Sequence, residues 1–411
     1  MPDPQEPDPQ EPGPQASGPQ VPRPRVLGPR ALGRALLARQ HLLARTDRAP
    51  AEVIHHLVGL QAQAVPQPPY LGLLSRLDGF TPDGLSTLLE QRAAVRIALQ
   101  RGTIHLVTAQ DCLTLRPLLQ PVLDQALRTT YGRRLAGLDP TELAVEARTL
   151  VEQEPRTFQQ LGTLLAATRP DRDPAALAQA ARCLLPLVQV PPRGLWGRSG
   201  PAAHTTAEAW LGRPLDPAPP DRADTPGGSG GSDGPDRLDG LDGLVLRYLA
   251  AFGPASAADL RKWSGLGGLG PVLRRLAPQL LTFRDEQDRV LYDLPGAPRP
   301  DPDVPAPVRL VAPFDNLLLS HADRSRVLPE RYKDRVMTRN GLVLGTLLVD
   351  GLVAGTWRYE GPEAGVVVEP FVRLARADRA AAEAEAERVL AFAGAGGRVR
   401  IEAVGEAVGE A

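Results

Sequence analysis

Between Glu52 and Gln61 the apolar residues Ile54, Leu57 and Val58 fall at helical spacing, and Gln61 continues their face two turns after Ile54. An uncharged amide therefore stands where a leucine would pack. Gln63 cannot share that face while a helix continues, because residues two apart point about 200° apart around the axis. Pro66, Pro68 and Pro69 end the helix. If the backbone extends from about residue 62, Gln61 and Gln63 point into one cavity at the helix end, presenting amide donors and carbonyl acceptors to a polar ligand or a water.

The same patterns place the other elements. Leu32, Leu36, Leu37 and Leu43 alternate with Arg34, Arg39 and Arg45 over 31–45, predicting an amphipathic helix with an arginine-bearing outer side, which either meets phosphate or is simply solvated. Short helices follow over 70–77 and from Thr81-Pro82 to about Glu90. Strand-like alternation over 95–99, a turn at Arg101-Gly102-Thr103 and a return over 104–107 predict a hairpin. The set then recurs. Helices over 109–134, 141–152, 157–167 and 174–185 precede strands at 187–190 and 194–197. Helices over 244–252, 256–263 and 269–276 precede strands at 280–283 and 290–294. Three copies of helices followed by a hairpin suggest tandem winged helix-turn-helix units.

Beyond Pro305 strands dominate. Asn340-Gly341 and Asp350-Gly351 bracket strands over 342–349 and 352–359, residues 366–372 add another, 376–392 form an Ala/Glu-rich helix, and 398–401 pair at a sheet edge. The expected fold is thus mainly α with small β wings, an α+β chain. Its divisions are a disordered Pro/Gln-rich tail (1–26), winged helix 1 (27–108), winged helix 2 (109–214), a flexible Gly/Ser/Asp-rich insertion (215–242), winged helix 3 (243–304), a β-rich segment with its helix (305–403) and a short tail (404–411).

Charge changes this picture only after it is divided. The net charge is −1, yet 1–22 carry four acids and no base, and 215–242 carry seven aspartates and two arginines. The remaining body has 45 bases against 37 acids, a mildly basic balance that suits nucleic acid. Of its basic residues only Lys262 and Lys333 are lysines. Cys112 and Cys183 lie in apolar helical surroundings, too few for a disulfide framework or zinc ribbon. No leader-like segment and no run of about 18 apolar residues occurs, so a cytoplasmic protein, without a membrane and associated with the nucleoid through DNA, is expected. His55 and His56 are adjacent and diverge on a helix, and no metal or other cofactor is expected.

The candidate side chains divide between function and structure. His105 lies among apolar strand residues and reads as a core histidine, whereas Arg101 at the hairpin tip suits phosphate or minor-groove contact. His321, Asp323 and Arg324 form a polar cluster after an apolar strand, opened by Asp315-Asn316, and serve either as site support or as a structural turn. Tyr70 and Trp196 either stack on DNA or anchor the core. The glycines over 265–270 lack the Lys-Ser/Thr of a phosphate loop and read as a turn between helices.

Gln61-Ala62-Gln63, the hairpin Arg101-Gly102-Thr103-Ile104-His105-Leu106 and the run from Pro313-Phe314-Asp315-Asn316 through His321-Ala322-Asp323-Arg324 together resemble the AlkZ/YcaQ superfamily of winged-helix DNA glycosylases, over about 27–392 without the insertion. In that family Gln-x-Gln marks the AlkZ-like branch. The resemblance implies a C-shaped array of winged helices on double-stranded DNA that excises N7-alkylated purines, including bulky or crosslinking natural-product adducts, in base excision repair or self-resistance. It implies Gln61 and Gln63 as the catalytic pair; from their own positions Arg34, Arg39 and Arg101 are expected on DNA, and a monomer is expected. An amide neither takes nor gives a proton near neutral pH, but it can orient water and present its dipole to developing charge at C1′. N7-alkylguanine is already cationic and needs no protonation to leave. No lysine lies near the motif in sequence, which predicts a monofunctional enzyme without lyase activity. The alternative from another class is a non-catalytic winged-helix protein, a transcriptional regulator or an adduct-binding resistance factor.

Overall fold

The computed structural model describes residues 25–63, 67–217 and 240–403. The Pro/Gln-rich tail up to residue 24, residues 218–239 of the insertion and the acidic end at 404–411 lie outside them. The first helix, Pro29–Arg39, starts on a proline at its first turn and stops short of the expected residue 45, with His41 at φ 54°. The next, Pro50–His56, also stops early, because Val58 (φ 53°) and Gly59 (φ 91°) turn the backbone out of the helix. Gln61 consequently sits on a strand, not on a helical face, in β1 (Leu60–Gln61). Gly59 is required at this turn, since a Cβ there would stand 2.6 Å from Val107 Cγ1 and 3.0 Å from the Leu106 carbonyl oxygen.

Helices Gln67–Leu74 and Pro82–Glu90 lead into β2 (Ala94–Ala98) and β3 (Ile104–Thr108), the hairpin expected from the alternation. The second set departs from expectation twice. Its long first helix is divided into Ala109–Leu118, Gln120–Ala126 and a π turn over Leu127–Tyr131, with Pro117 and Pro121 beside the break. Its strands are β4 (Arg156–Thr157), β5 (Leu187–Gln189) and β6 (Ala203–Thr206), so residues 194–197 are a turn and the return lies further on. These strands join those of the first set in one six-stranded sheet of order β1-β3-β2-β5-β6-β4, with Arg96↔Gln189 and Ile97↔Val188 at the seam.

Helices Gly240–Phe252, Ala257–Ser264 and Leu269–Leu276 precede the hairpin β7 (Leu281–Arg284) and β8 (Val290–Asp293). The C-terminal sheet has the order β13-β12-β11-β10-β9, from β9 (Arg309–Val311), β10 (Gly345–Val349), β11 (Leu352–Gly361), β12 (Gly365–Pro370) and β13 (Val399–Ile401). Its β10–β11 turn has Asp350 at φ 46° and Gly351 at φ 80°, the paired positive values that Asp-Gly supplies. Helix Arg376–Ala393 covers this sheet through Ala382, Ala386, Val389 and Phe392.

The core runs through the divisions drawn from sequence. One apolar cluster joins Leu36 of the first helix, Val95 of β2, Tyr248 and Trp263 of the third set, Leu318 and Phe371. Burying each such side chain stabilises the fold by roughly 1.5–3 kcal/mol. Helices Pro140–Gln153, Phe158–Ala167 and Pro174–Leu184 keep a smaller core of their own around Leu143, Leu161 and Leu177. Among the described residues no helix is long and apolar enough to cross a membrane.

Candidate functional site

Gln61 lies on the edge strand β1, paired with His105 of β3, and Ala62 extends the ladder by donating its N–H to the Ile104 carbonyl at 2.7 Å. The strand itself ends at Gln61. Gln61 is 8% exposed; Gln63, at the bend where the strand ends, is exposed. The residue between them is held from below. Arg96, buried in the middle of β2, donates from Nη2 to the Ala62 carbonyl at 2.8 Å and from Nε to Gln189 Oε1 at 3.1 Å.

The orientation of the Gln61 amide follows from Arg101. Its Nη2 donates to Gln61 Oε1 at 2.6 Å, which fixes that atom as the carbonyl, and its Nη1 donates to the Trp263 carbonyl at 2.5 Å. Gln61 Nε2 donates to no group among the described residues. Arg101 itself has φ 56°, a left-handed conformation that costs a non-glycine residue about 1–3 kcal/mol and persists only where the surroundings enforce it. Those surroundings come from all three helical sets. Arg182 Nη2 holds the Gly102 carbonyl at 2.7 Å, and Gly265, the left-handed cap of helix Ala257–Ser264, packs so closely that a Cβ there would lie 3.2 Å from the Arg101 nitrogen. The hairpin tip is therefore docked inside the molecule. The expectation of an outward wing with Arg101 at its exposed tip is corrected accordingly.

Burial lowers the Arg101 guanidinium to about 10, and Arg324 adds repulsion from the same side. Arg96 is likewise lowered to about 10, by burial first and then by Arg193. His105, wholly buried with Nδ1 3.0 Å from the Thr103 carbonyl oxygen, is pushed down to about 3 by burial and by Arg101. It is a neutral core histidine.

The remaining sequence-derived residues separate. Arg34 and Arg39 do not form an outer face. Each is 2% exposed. Arg34 bonds Asp350 and donates from Nε to the Val304 carbonyl at 2.6 Å, while Arg39 grips Asp293 at 2.6 and 2.9 Å. Neither guanidinium is free to reach phosphate. Tyr70 is a core residue whose hydroxyl meets Ser86 Oγ at 2.9 Å and accepts the Trp196 N–H at 3.1 Å. His321 is buried with its ring nitrogens 3.0 Å from Ser320 Oγ, the Phe252 carbonyl oxygen and Arg326 Nη1. Burial, with Arg326 beside it, pushes it to about 3. Asp323 is engaged by Arg289, which holds its carboxyl at about 2 against the opposing effect of burial. The segment over 313–324 is largely an interlock: Asp315 takes both Nη atoms of Arg76 at 2.8 Å, Asn316 Nδ2 donates to the Gly59 carbonyl at 2.7 Å, and the Ala322 N–H donates to Asp259 Oδ1 at 2.9 Å. Arg324 has its Nε tied to the Leu318 carbonyl at 2.7 Å.

Three participants escaped the sequence. Arg96 had one signal, a charge inside the apolar strand run Val95-Arg96-Ile97-Ala98. The Trp263 carbonyl had none. Lys262 also had none: it precedes Trp263, whose carbonyl Arg101 holds, and its ammonium is lowered by burial, Arg324 and Arg101 in that order. Among the described residues no group of three or more His, Cys, Asp or Glu is placed to hold a metal ion. The site thus offers one oriented amide, one exposed amide and cations, and it can orient polar or anionic groups.

No curated protein sequence matches the chain. Among solved structures, Streptomyces sahachiroi DNA glycosylase AlkZ superposes with a TM-score of 0.71 at 20% identity, covering 92% of this chain and all of that one, a likeness of fold. The family model described as DNA glycosylase AlkZ-like matches residues 54–392, a span that contains Gln61, Gln63, Arg101 and the 313–324 interlock. With a mixed α/β fold of that kind and a match over most of its length, the chain belongs to the AlkZ-like family of DNA glycosylases.

Proposed function

We propose that this protein is a monofunctional DNA glycosylase that hydrolyses the N-glycosidic bond of N7-alkylated, cationic purines in duplex DNA, with Gln61 and Gln63 as the catalytic pair. The observation that carries the reading is the fixed amide of Gln61, whose carbonyl is held by a strained arginine anchored on another helix. A side chain fixed at such conformational cost is preorganised for a ligand. Gln61 Nε2 donates outward, to water or to a sugar oxygen. Gln63 supplies the free carbonyl that accepts a hydrogen of the attacking water and faces the charge growing at C1′. Neither amide can protonate a leaving base, so selectivity follows from chemistry: a cationic base departs as a neutral molecule, and an uncharged one does not.

The exposure of Gln63 supports bulky adducts as substrates. A lesion approached at an open strand end need not be turned into a tight pocket, which spares an unstacking cost of a few kcal/mol. The test is a single-turnover assay on a duplex oligonucleotide with one N7-methylguanine. Wild-type protein releases the base, and folded Gln61→Ala/Gln63→Ala does not. Efficient release of uracil or 8-oxoguanine would refute the chemistry.

A further inference from the structure

We propose that Arg101, Lys262 and Arg324 together form a seat for the DNA phosphodiester backbone beside Gln61. The inference rests on reading Gln61 as the place of base release. Elsewhere buried arginines are answered by carboxylates, as Arg39 is by Asp293, Arg76 by Asp315 and Arg247 by Asp111, and Arg96, Arg116 and Arg182 are satisfied by backbone and glutamine oxygens. Arg101, Lys262 and Arg324 have no carboxylate partner either, and they lie beside open surface. Among the described residues Arg101 bonds only an amide and a backbone carbonyl, Arg324 only a backbone carbonyl, and Lys262 makes no ion pair. The acids nearby are committed elsewhere: Asp259 caps its own helix and accepts from Ala322, Asp323 pairs with Arg289, and Glu330 pairs with Lys333 at 2.8 Å.

The three groups come together from three separate elements. Arg101 is bound to the carbonyl of Trp263, the residue after Lys262, and the Ala322 N–H, two residues before Arg324, donates at 2.9 Å to Asp259 on the same helix as Lys262. The surface beside them is open, since a Cβ built on Gly267 or Gly268 in the turn after that helix meets nothing within 4 Å. Such a cluster is incompatible with its own site while empty. Three positive charges would repel a cationic purine and the positive charge that grows on the sugar. A phosphodiester seated among them offsets one of these charges and so weakens the local positive field, and every nucleotide of the damaged strand brings one. Undamaged duplex supplies the same group, so the seat accounts for affinity and placement, and the amides for chemistry.

The experiment is a titration of a short undamaged duplex against wild-type protein, Lys262→Gln, Arg324→Gln and the double variant, over about 50–300 mM salt. The double substitution should flatten the slope of log affinity against log salt by up to about 0.9, the worth of one phosphate, and each single substitution by part of that. Lys262→Arg and Arg324→Lys should keep the wild-type slope, which a packing role would not ensure. Unchanged slopes in the folded double variant would overturn the seat. A Lys262 adduct trapped with borohydride on an abasic duplex would also overturn it, by showing the amine to be a nucleophile. Base release by wild type with unchanged slopes sinks the seat and leaves the glycosylase reading; flattened slopes without release from N7-methylguanine or a bulkier N7 adduct do the reverse.

Discussion

Arginine has two different fates in this molecule, set by whether a carboxylate or a neutral oxygen answers it. Arg34 and Arg39 of the first helix, and Arg76 just after helix Gln67–Leu74, are buried against Asp350, Asp293 and Asp315. At the docked hairpin tip, Arg96, Arg101, Arg182 and Arg324 bond to backbone carbonyls and amides without a carboxylate. The first region is neutral inside and rigid. The second keeps a positive field that an anion can still neutralise. The same side chain is thus neutralised by a carboxylate in one place and held by neutral oxygens in another, and only the partner tells which.

Breaking the first region should cost most in stability. Removing one partner of a buried pair strands the other and typically costs about 3–5 kcal/mol. Asp293 receives Arg39 through both its oxygens and Arg299 at 2.5 Å, so Asp293→Asn leaves two guanidiniums undercompensated. A loss of that size in urea unfolding, with excision at low temperature retained, is the expected result.

Breaking the second region should leave the fold standing and the chemistry impaired. Arg101→Met frees the Gln61 amide to rotate and also relieves a left-handed backbone strain by no mechanism, since methionine inherits the same φ. Loss of one positioned transition-state donor typically costs about 10²–10³ in rate, and a displaced orienting group belongs at the lower end of that range. Arg101→Lys should restore little, because one ammonium cannot span Gln61 Oε1 and the Trp263 carbonyl as the guanidinium fork does. A rate within twofold of wild type for Arg101→Met would show that the Gln61 orientation is incidental.

The contrast also explains what was legible from sequence. The β2–β3 and β7–β8 hairpins and the Asp350-Gly351 turn announce themselves through local rules, period two and turn chemistry, whereas Gln61, read on a helical face, lies on a strand because Val58 and Gly59 turn the backbone first. The fate of an arginine is not local. Arg34 and Arg39 occupy positions that alternate with leucines as a solvated face would, and only their carboxylates, some 250 residues or more away in the chain, turn that face inward. Lys262 is remote from Gln61 for the same reason. The joining of two hairpins into one sheet depends on a seam between β2 and β5 that neither strand encodes alone.

Titration should distinguish the regions by a smaller effect. His41 and His204 are lowered to about 4 and His105 and His321 to about 3, chiefly by burial, so all four stay neutral in the fold while the unfolded chain takes protons near 6.5. The unfolded state then binds more protons, and stability must fall as pH drops below about 6.5, continuing to about 3. Melting temperature should decline steadily from pH 6.5 to 4. Excision by amides carries no such group, and its rate at saturating protein should stay level from about pH 6.5 to 9. A bell-shaped rate profile in that window would assign the chemistry to a titrating side chain instead.

The smallest effect tests whether burial, and not pairing as such, sets the strength of the first region. Arg30 and Arg34 share Asp350, with Arg30 Nη1 at 2.7 Å from its Oδ2, but the Arg30 side chain is 47% exposed and that of Arg34 is 3%. Water and salt screen the outer pair, whose worth is then about 0–1 kcal/mol. Arg34 also satisfies two backbone carbonyls, of Val304 and Asp350, which lose their donor if it is truncated. Arg30→Gln should therefore shift the urea midpoint scarcely at all, and less still at high salt, whereas Arg34→Gln should destabilise by about 1–3 kcal/mol at either salt, the cost of leaving buried polar groups unmade. Equal losses would mean that the aspartate, not the desolvated setting, carries the junction.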